Sequence, residues 1–575
     1  MNPILQRCAK TFSIKAVKHS PLIPALLLLA SVVMMYGTFL RNPPVFDDAS
    51  FFDSATLQAY SRSVFHFDLR WFAYASLGWT QALCGGQLFA FRVGNLLLHA
   101  ANAIALFLFL RCLFDAALSG ADDKEPAGKG LSYTWLAFFG ALLFAVHPVA
   151  VYATEYLIQR STLMATLFSV LGWHAYLEGL LKARRRWFVV SAALYFLAVF
   201  SKEHAVMAPA VALAMTLLLY PPSPNLLRKI ALPFALFALI GLLITLKTKG
   251  VLGAPYEPYA QDMLKRMSES HAIFKPDSGA NLYPLSVATQ CLLYFKYLLM
   301  WLLPNPAWMS VDMREPFASS LSEWPYAPAT AGFVLYGAGA TWMLLRRGKQ
   351  GLLGFVLLLP WLMFATELVT VRIQEPFVLY RSYLWMGPAL AAIPVLVLGS
   401  IPVRRALSYL LGASLLLLPL TWDRLTTFSH PLLLWDDAAS LIEDKPYLPG
   451  FERIYHNRGA ALYEVGLKQK ALEDYDRVIA MNPDYGYVYN NRGSIYFDWG
   501  QYDEALRDFN KAAEFDPAYP RPYLGRGLLF EKLGKLEGAR VNYKFSCTLG
   551  LREGCEMLQR MDNKAPSILL PQPSP

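Results

Sequence analysis

Two adjacent carboxylates, Asp47 and Asp48, lie in the stretch VFDDASFFD, just past the first long apolar run of this chain. At the mouth of a membrane helix, such a group can take a proton from an incoming hydroxyl or hold a divalent cation. A second set of charges falls at the ends of other apolar runs: Glu155, Arg160, Lys202, Glu203, Arg372, Glu375 and Arg381, joined by Asp53. Ionisable groups near membrane spans are costly and usually functional. Acids and bases mixed at one depth suit a site that grips a phosphate with Arg or Lys and activates a hydroxyl with a carboxylate. Structural readings stand beside the chemical ones. Asp47-Asp48 also suits a solvated turn or helix cap, and Lys202-Glu203 an ion pair at a helix end. His147, in HPV, and the face shared by Arg92 and His99 also suit packing or lipid-headgroup contact.

The elements that position these residues are apolar helices. The chain has 575 residues, 55% hydrophobic and 16% charged, against about 25% charged in an ordinary soluble protein. Pro21–Leu40 is long enough to cross a bilayer, and Arg7, Lys10, Lys15 and Lys18 before it place its start in the cytoplasm. It is too long for a cleavable signal and lacks a clear small-residue cleavage site. The formal charge of +10 excludes little by itself. Its basic residues fall in short clusters (Lys182 with Arg184–Arg186, Arg228-Lys229, Arg346-Arg347, Arg404-Arg405), as in cytoplasmic loops, and no basic patch with interleaved aromatics points to nucleic acid. Further spans are expected near 88–114, 132–153, 158–180, 187–201, 205–220, 230–247, 327–345, 351–370, 379–399 and 406–421, making about eleven at roughly 20 residues each. Residues 41–86 and 249–284 read as external loops, and 121–130 as a cytoplasmic linker. Residues 286–303 read as a re-entrant or partial helix, because a full crossing there would put Arg346-Arg347 outside. An odd number of crossings leaves the C-terminal part outside.

Beyond His430 the composition changes and the chain repeats every 34 residues. Asn457-Arg458-Gly459 returns as Asn491-Arg492-Gly493 and then as Arg526-Gly527. Gly466, Gly500 and Gly534 are in register, as are Ala471, Ala505 and Ala539, and Tyr475, Phe509 and Tyr543; Pro483 and Pro517 close the first two units. This is the tetratricopeptide (TPR) pattern of paired helices, whose curved stack normally holds a peptide or protein, or else acts as a spacer or oligomerisation arm. The fold expected is therefore all-α: a polytopic helical membrane domain followed by a short TPR solenoid. Its parts are a cytoplasmic N-terminus (1–20), a membrane domain (21–425), a linker (426–450), a TPR domain (451–560, with repeats near 451–484, 485–518 and 519–552) and a Pro-rich tail (561–575). The six cysteines show no zinc-ligand spacing. Cys547 and Cys555 are close enough to form a disulfide in an oxidising compartment, or to remain two buried thiols.

The phrases FDD (46–48), FRVGNLLLHAANAIALFLF (91–109), LLFAVHPVAVYATEYLIQRSTLMATLF (142–168), SKE (201–203) and EPFVLYRSYLWMGPAL (375–390) resemble the membrane part of the transmembrane-and-TPR-containing O-mannosyltransferases, of the C-type glycosyltransferase superfamily. The order of membrane domain and repeats is similar too. Two departures are the presence of only three repeats and the lack of a matching phrase over 249–325. The resemblance implies a polyprenyl-phosphate-linked sugar donor and an acidic residue of the first external loop, here Asp47 or Asp48. That residue would be a general base toward an acceptor hydroxyl, or the ligand of a divalent cation in members that use one. It implies Arg160, Lys202, Arg372 and Arg381 for the lipid phosphate, with Arg92, His147, Glu155, Glu203 and Glu375 shaping the pocket. No other cofactor is expected, and no P-loop or dinucleotide fingerprint is present.

The reading that follows is a membrane glycosyltransferase of a bacterial inner membrane, with its N-terminus cytoplasmic and its TPR domain periplasmic. Its acceptor would be a protein Ser/Thr hydroxyl, and its partners membrane lipid and a protein bound by the repeats. Two alternatives compete: an O-antigen-ligase-like oligosaccharyltransferase using Lys265, Arg266 and His271, and a non-enzymatic membrane-anchored scaffold for envelope assembly.

Overall fold

In a bilayer each backbone N–H and C=O must find its partner inside the segment, so apolar runs fold as helices. The computed structural model describes residues 21–46, 48, 51, 55–62, 68–118, 129–255, 282–373, 375–397 and 401–564. Among these there is no strand beyond two isolated bridges, Pro255 with Val371 and Met313 with Phe377. The chain divides into two compact units, Met1–Leu434 and Trp435–Pro575. Asp47, Asp53, Lys265, Arg266, His271, residues 1–20, most of the 121–130 linker, most of the 249–284 loop and the tail from 565 lie outside the described residues.

The first unit holds α1 (Leu22–Tyr36), α2 (Ala55–Arg62), α3 (Trp71–Cys84), α4 (Leu88–Leu118), α5 (Lys129–Ala145), α6 (Pro148–Thr154), α7 (Arg160–Lys182) and α8 (Arg185–Ser201). It continues with α9 (Ala208–Leu219), α10 (Pro224–Lys247), α11 (Leu282–Leu302), α12 (Tyr326–Leu345), α13 (Gly348–Phe364), α14 (Tyr383–Val397) and α15 (Val403–Thr427). Helix α7 packs on α4 and α8, α4 on α5, and α13 on α12 and α14.

Among the described residues, six helices are long and apolar enough to cross a membrane, or seven if the bent pair α5–α6 counts as one. That is consistent with membrane association and falls short of the eleven crossings expected. The shortfall has local causes. Helices α8, α9 and α14 have 17, 12 and 15 residues, and at about 1.5 Å per residue they are shorter than a hydrocarbon core of about 30 Å. Helix α7 carries Arg160, His174, Glu178 and Lys182, while Gly, Ala, Thr and Tyr dilute α12. One difference runs the other way. Residues 286–302 of the stretch expected to be re-entrant or partial lie in α11, which has 21 residues and the hydropathy of a full span. The expected 132–153 span is instead broken by 62° between α5 and α6. There Pro148 opens α6, and His147 Nδ1 accepts from the Val149 N–H at 3.3 Å.

The second unit begins within α16 (Pro431–Ser440) and holds α17 (Phe451–Glu464), α18 (Lys468–Met481), α19 (Gly486–Asp498), α20 (Tyr502–Phe515), α21 (Pro520–Lys532), α22 (Leu536–Thr548) and α23 (Arg552–Lys564). The repeat positions explain this packing. Ala471, Ala505 and Ala539 have no exposed surface. A side chain at Gly459 or Gly527 would meet the ring of Tyr475 or Tyr543 at 2.6 or 2.5 Å, so the aromatic of each second helix lies against the bare backbone of the first. Cys547 and Cys555 form a disulfide that ties α22 to the tail helix α23.

Candidate functional site

A polar cavity of about 180 Å³ opens where four chain segments end. Arg70 and Tyr74 come from the start of α3, and Tyr156, Ile158, Gln159 and Ser161 from the turn between α6 and α7. Lys202 and His204 follow α8, and Glu375, Tyr380 and Arg381 precede α14. Helix ends leave backbone groups unpaired and are short of regular packing, so polar side chains collect there.

Lys202 closes α8 in an extended conformation, which turns its side chain away from the helix. Its ammonium donates to Gln159 Oε1 at 2.9 Å and Thr162 Oγ1 at 2.7 Å and lies 5.3 Å from the centre of the Tyr380 ring. Only 5% of the residue is exposed. Burial, reinforced by Arg70, draws its pKa well below the ordinary lysine range, against an opposing pull from Glu203. Arg70 sits at φ +64°, a left-handed backbone uncommon outside glycine. Its guanidinium grips both oxygens of Glu203, with Nε to Oε2 at 2.9 Å. Arg381 donates Nη1–H to the Glu375 carbonyl at 2.9 Å and stands 3.8 Å from that carboxylate.

Behind this wall Glu367 acts as a hub. Arg372 Nε reaches it at 3.0 Å, His204 Nε2 at 3.1 Å and Arg381 Nη1 at 3.7 Å. Arg70, Lys202, Arg372 and Arg381 thus gather with Glu203, Glu367 and Glu375 in and behind the cavity wall. Such a cluster can hold a phosphate.

Of the four residues expected at the lipid phosphate, Lys202 and Arg381 line the cavity and Arg372 supports it from behind. Arg160 is placed elsewhere. Its guanidinium binds Asn95 Oδ1, the Ser76 and Phe91 carbonyls and Thr80 Oγ1, which clamps α3, α4 and α7 together. Among the pocket-shaping residues, Glu375 lines the cavity and Glu203 reaches it through Arg70. Arg92 and Glu155 form a buried pair at 2.6 Å, with Asn42 donating to the same carboxylate oxygen at 3.0 Å. His147 Nε2 is 3.0 Å from the Trp301 carbonyl. These last three hold helices together and do not line the cavity.

Asp48 is fully buried. Its Oδ2 accepts from the Val45 and Leu157 N–H groups at 3.2 and 3.1 Å, and Oδ1 from the Ile158 N–H at 3.0 Å. It therefore fastens the first loop to the turn that carries Ile158 and Gln159 into the cavity wall. Burial pushes its carboxyl up to about 7, against the lowering effect of those three amides and Arg92. Oxygens already facing amide N–H groups do not suit a metal ligand, and among the described residues no group of three or more acid, His or Cys side chains could hold a metal ion.

Sequence reasoning did not single out Arg70, Gln159, Tyr380 or Glu367. Arg70 meets Glu203 133 residues on and Gln159 meets Lys202 43 residues on, distances that no local pattern shows.

In the second unit, Arg458 binds Asp474 through two bonds of 2.8 Å, and Arg492 binds Asp508 at 2.8 and 2.9 Å. Three tetratricopeptide repeat families match the chain, over residues 452–485, 474–507 and 493–534. Among solved structures, the first TPR of Spaghetti (RPAP3) bound to the HSP90 peptide SRMEEVD is similar to part of the chain, with 24% identity and a TM-score of 0.19 over 20% of this chain and 90% of that one. No curated protein matches. The C-terminal region is thus a set of tetratricopeptide repeats, which suggests a protein or peptide partner.

Proposed function

We propose that the chain is a membrane glycosyltransferase that moves a sugar from a polyprenyl-phosphate carrier to a Ser/Thr hydroxyl of a protein outside the cytoplasm. The observation that carries this reading is the cavity wall, where the Lys202 amine, bonded to Gln159 and Thr162 and set against the Tyr380 ring, stands with Arg70 and Arg381. In this reading Arg70, Lys202 and Arg381 hold the carrier phosphate. A carboxylate of the first loop takes the acceptor proton as the hydroxyl oxygen bonds to the sugar C1. The C1–O bond to phosphate breaks, and the phosphate leaves on its lipid with its new charge against the cations. Asp48, already bound by three amides, positions the loop, and the base role is assigned to its neighbour Asp47.

Helices α7, α8, α9, α12 and α14 and the bent pair α5–α6 are assigned to the same bundle as further crossings, with α11 assigned as a helix that packs within the bundle without crossing fully, so that an odd number of crossings leaves the repeats opposite the N-terminus. A bacterial inner membrane is the proposed setting, with the N-terminus cytoplasmic and the repeats periplasmic. The Cys547–Cys555 bond supports that side, because disulfides persist in oxidising compartments.

The test is sugar transfer from a labelled polyprenyl-phosphate carrier to an acceptor protein by the purified chain. Lys202→Gln should lower transfer about a hundredfold, the effect of removing one charge-stabilising donor, with Asp47→Asn at least as severe. Undiminished transfer in both variants would sink the reading. Partner binding that survives in both, with no transfer by the unaltered chain, would favour the scaffold.

A further inference from the structure

Around Arg526 the third repeat departs from the second at several positions, and these departures share a direction. A shift of 34 residues carries Arg492 onto Arg526, Asp476 onto Asn510 and Asp508 onto Asn542. Arg492 binds both of its aspartates, at 2.8 Å each. Arg526 keeps the same geometry, donating to Asn542 Oδ1 at 2.9 Å and Asn510 Oδ1 at 3.0 Å, but both partners are neutral. Its remaining neighbour is the Tyr523 ring, 4.7 Å away.

The same shift turns Arg507 into Val541, Lys511 into Phe545 and Tyr496 into Phe530. Those residues wall a groove of about 330 Å³ around Arg526, between the second helices α20 and α22 and over the first helix α21. Val541 is 63% exposed and Phe545 47%. The electrostatics follow the substitutions. Burial lowers Arg492, but Asp508 and Asp476 more than reverse this and hold it above the ordinary arginine range, whereas burial draws Arg526 below it against an opposing pull from Tyr523. In the second repeat the arginine is neutralised in a polar setting. In the third, a guanidinium without a carboxylate lies in an apolar groove.

We propose that this groove takes a segment of a partner protein that presents an Asp or Glu carboxylate beside Leu- or Phe-like side chains. Charge complementarity sets the class of occupant. The carboxylate supplies what Asn510 and Asn542 withhold, and low local polarity strengthens the pair, because arginine is suited to planar carboxylate recognition. The apolar walls accept the flanking side chains and exclude water from the pair. The segment lies against the face formed by the second helices. The inference rests on the repeats holding a protein partner and is independent of the transferase chemistry.

The experiment uses the full chain in detergent on an array of heptapeptides. One position is Asp or its uncharged match Asn, and the neighbours are Leu, Phe or Ser. The unaltered chain should bind Asp peptides with Leu or Phe neighbours at least fivefold over their Asn matches. Arg526→Gln should abolish that preference. The double change Asn510→Asp, Asn542→Asp restores the second repeat's own pattern, so it should fold and should also abolish the preference. No Asp-over-Asn preference in the unaltered chain, or a preference that survives the double change, overturns the proposal. No sugar donor is present, so this result and the transferase reading fail separately.

Discussion

The two units solve the same problem, an arginine taken out of water, with partners at different distances along the chain. In the repeats each arginine meets its partner 16 residues later: Arg458 with Asp474, Arg492 with Asp508, Arg526 with Asn542. In the first unit Arg92 reaches 63 residues to Glu155, Arg160 reaches 65 to Asn95, and Arg70 reaches 133 to Glu203. Short-range pairs recur with the repeat and vary from one copy to the next. Long-range pairs exist once and only when the whole bundle is assembled. A solenoid can therefore change one arginine's setting without disturbing its neighbours, whereas the cavity depends on several helix ends meeting.

The comparison breaks most visibly at Glu155. Glu155→Gln leaves the Arg92 guanidinium buried without a carboxylate and should cost about 3–5 kcal/mol, read as a lower thermal midpoint in detergent. Replacing both Arg92 and Glu155 with Met should recover most of that loss, because well-packed apolar pairs replace buried ion pairs at little net cost. If the double variant were as unstable as the single one, the pair would be doing more than balancing charge.

Asp508→Asn is the local counterpart. It gives the second repeat the neutral partner of the third, and the change should stay within the repeats at about 1.5–3 kcal/mol, the value of a hydrogen bond to a charged group. Hydrogen exchange should rise in α19 and α20 while the first unit is unchanged. Loosening of the first unit would end the claim that repeat pairs act locally.

A pH-dependent effect concerns Asp48, two of whose three amide partners lie 109 and 110 residues away. Its carboxyl is raised to about 7 in the fold, so the folded state holds the proton more tightly than the unfolded chain does. The stability this confers is complete below the unfolded value near 4 and is lost as pH rises toward 7. Asp48→Asn has no such dependence. The midpoint of the variant should gain on that of the unaltered chain between pH 5 and 7 and level off above. A gap independent of pH would mean that the buried carboxylate carries no ionisation cost.

The same contrast sets how much was legible beforehand. The repeats were open to reading because Gly459, Ala471 and Tyr475 return at a fixed interval, each with one packing role. Hydrophobic runs located the helices of the first unit, and charges at their ends located Lys202, Arg381 and Glu375 at the cavity. Arg160 has the same type and helix-end position as those residues, yet it serves as a clamp. Type and position do not say which way a long side chain turns. The 286–303 stretch read as partial because a full crossing there would put Arg346-Arg347 outside, and its polar residues Thr289, Gln290 and Lys296 find partners in the fold. In the fold the first two are buried and bonded, Thr289 to Leu285 and Ala318 and Gln290 to Pro376, and Lys296 pairs with Glu315.

The link between Cys547 and Cys555 spans eight residues. Closing so short a loop requires little conformational search once α22 and α23 have turned back on each other. The end of the solenoid can therefore be sealed late, after the preceding repeats have stacked, and a thiol reductant should fray it from that end inward.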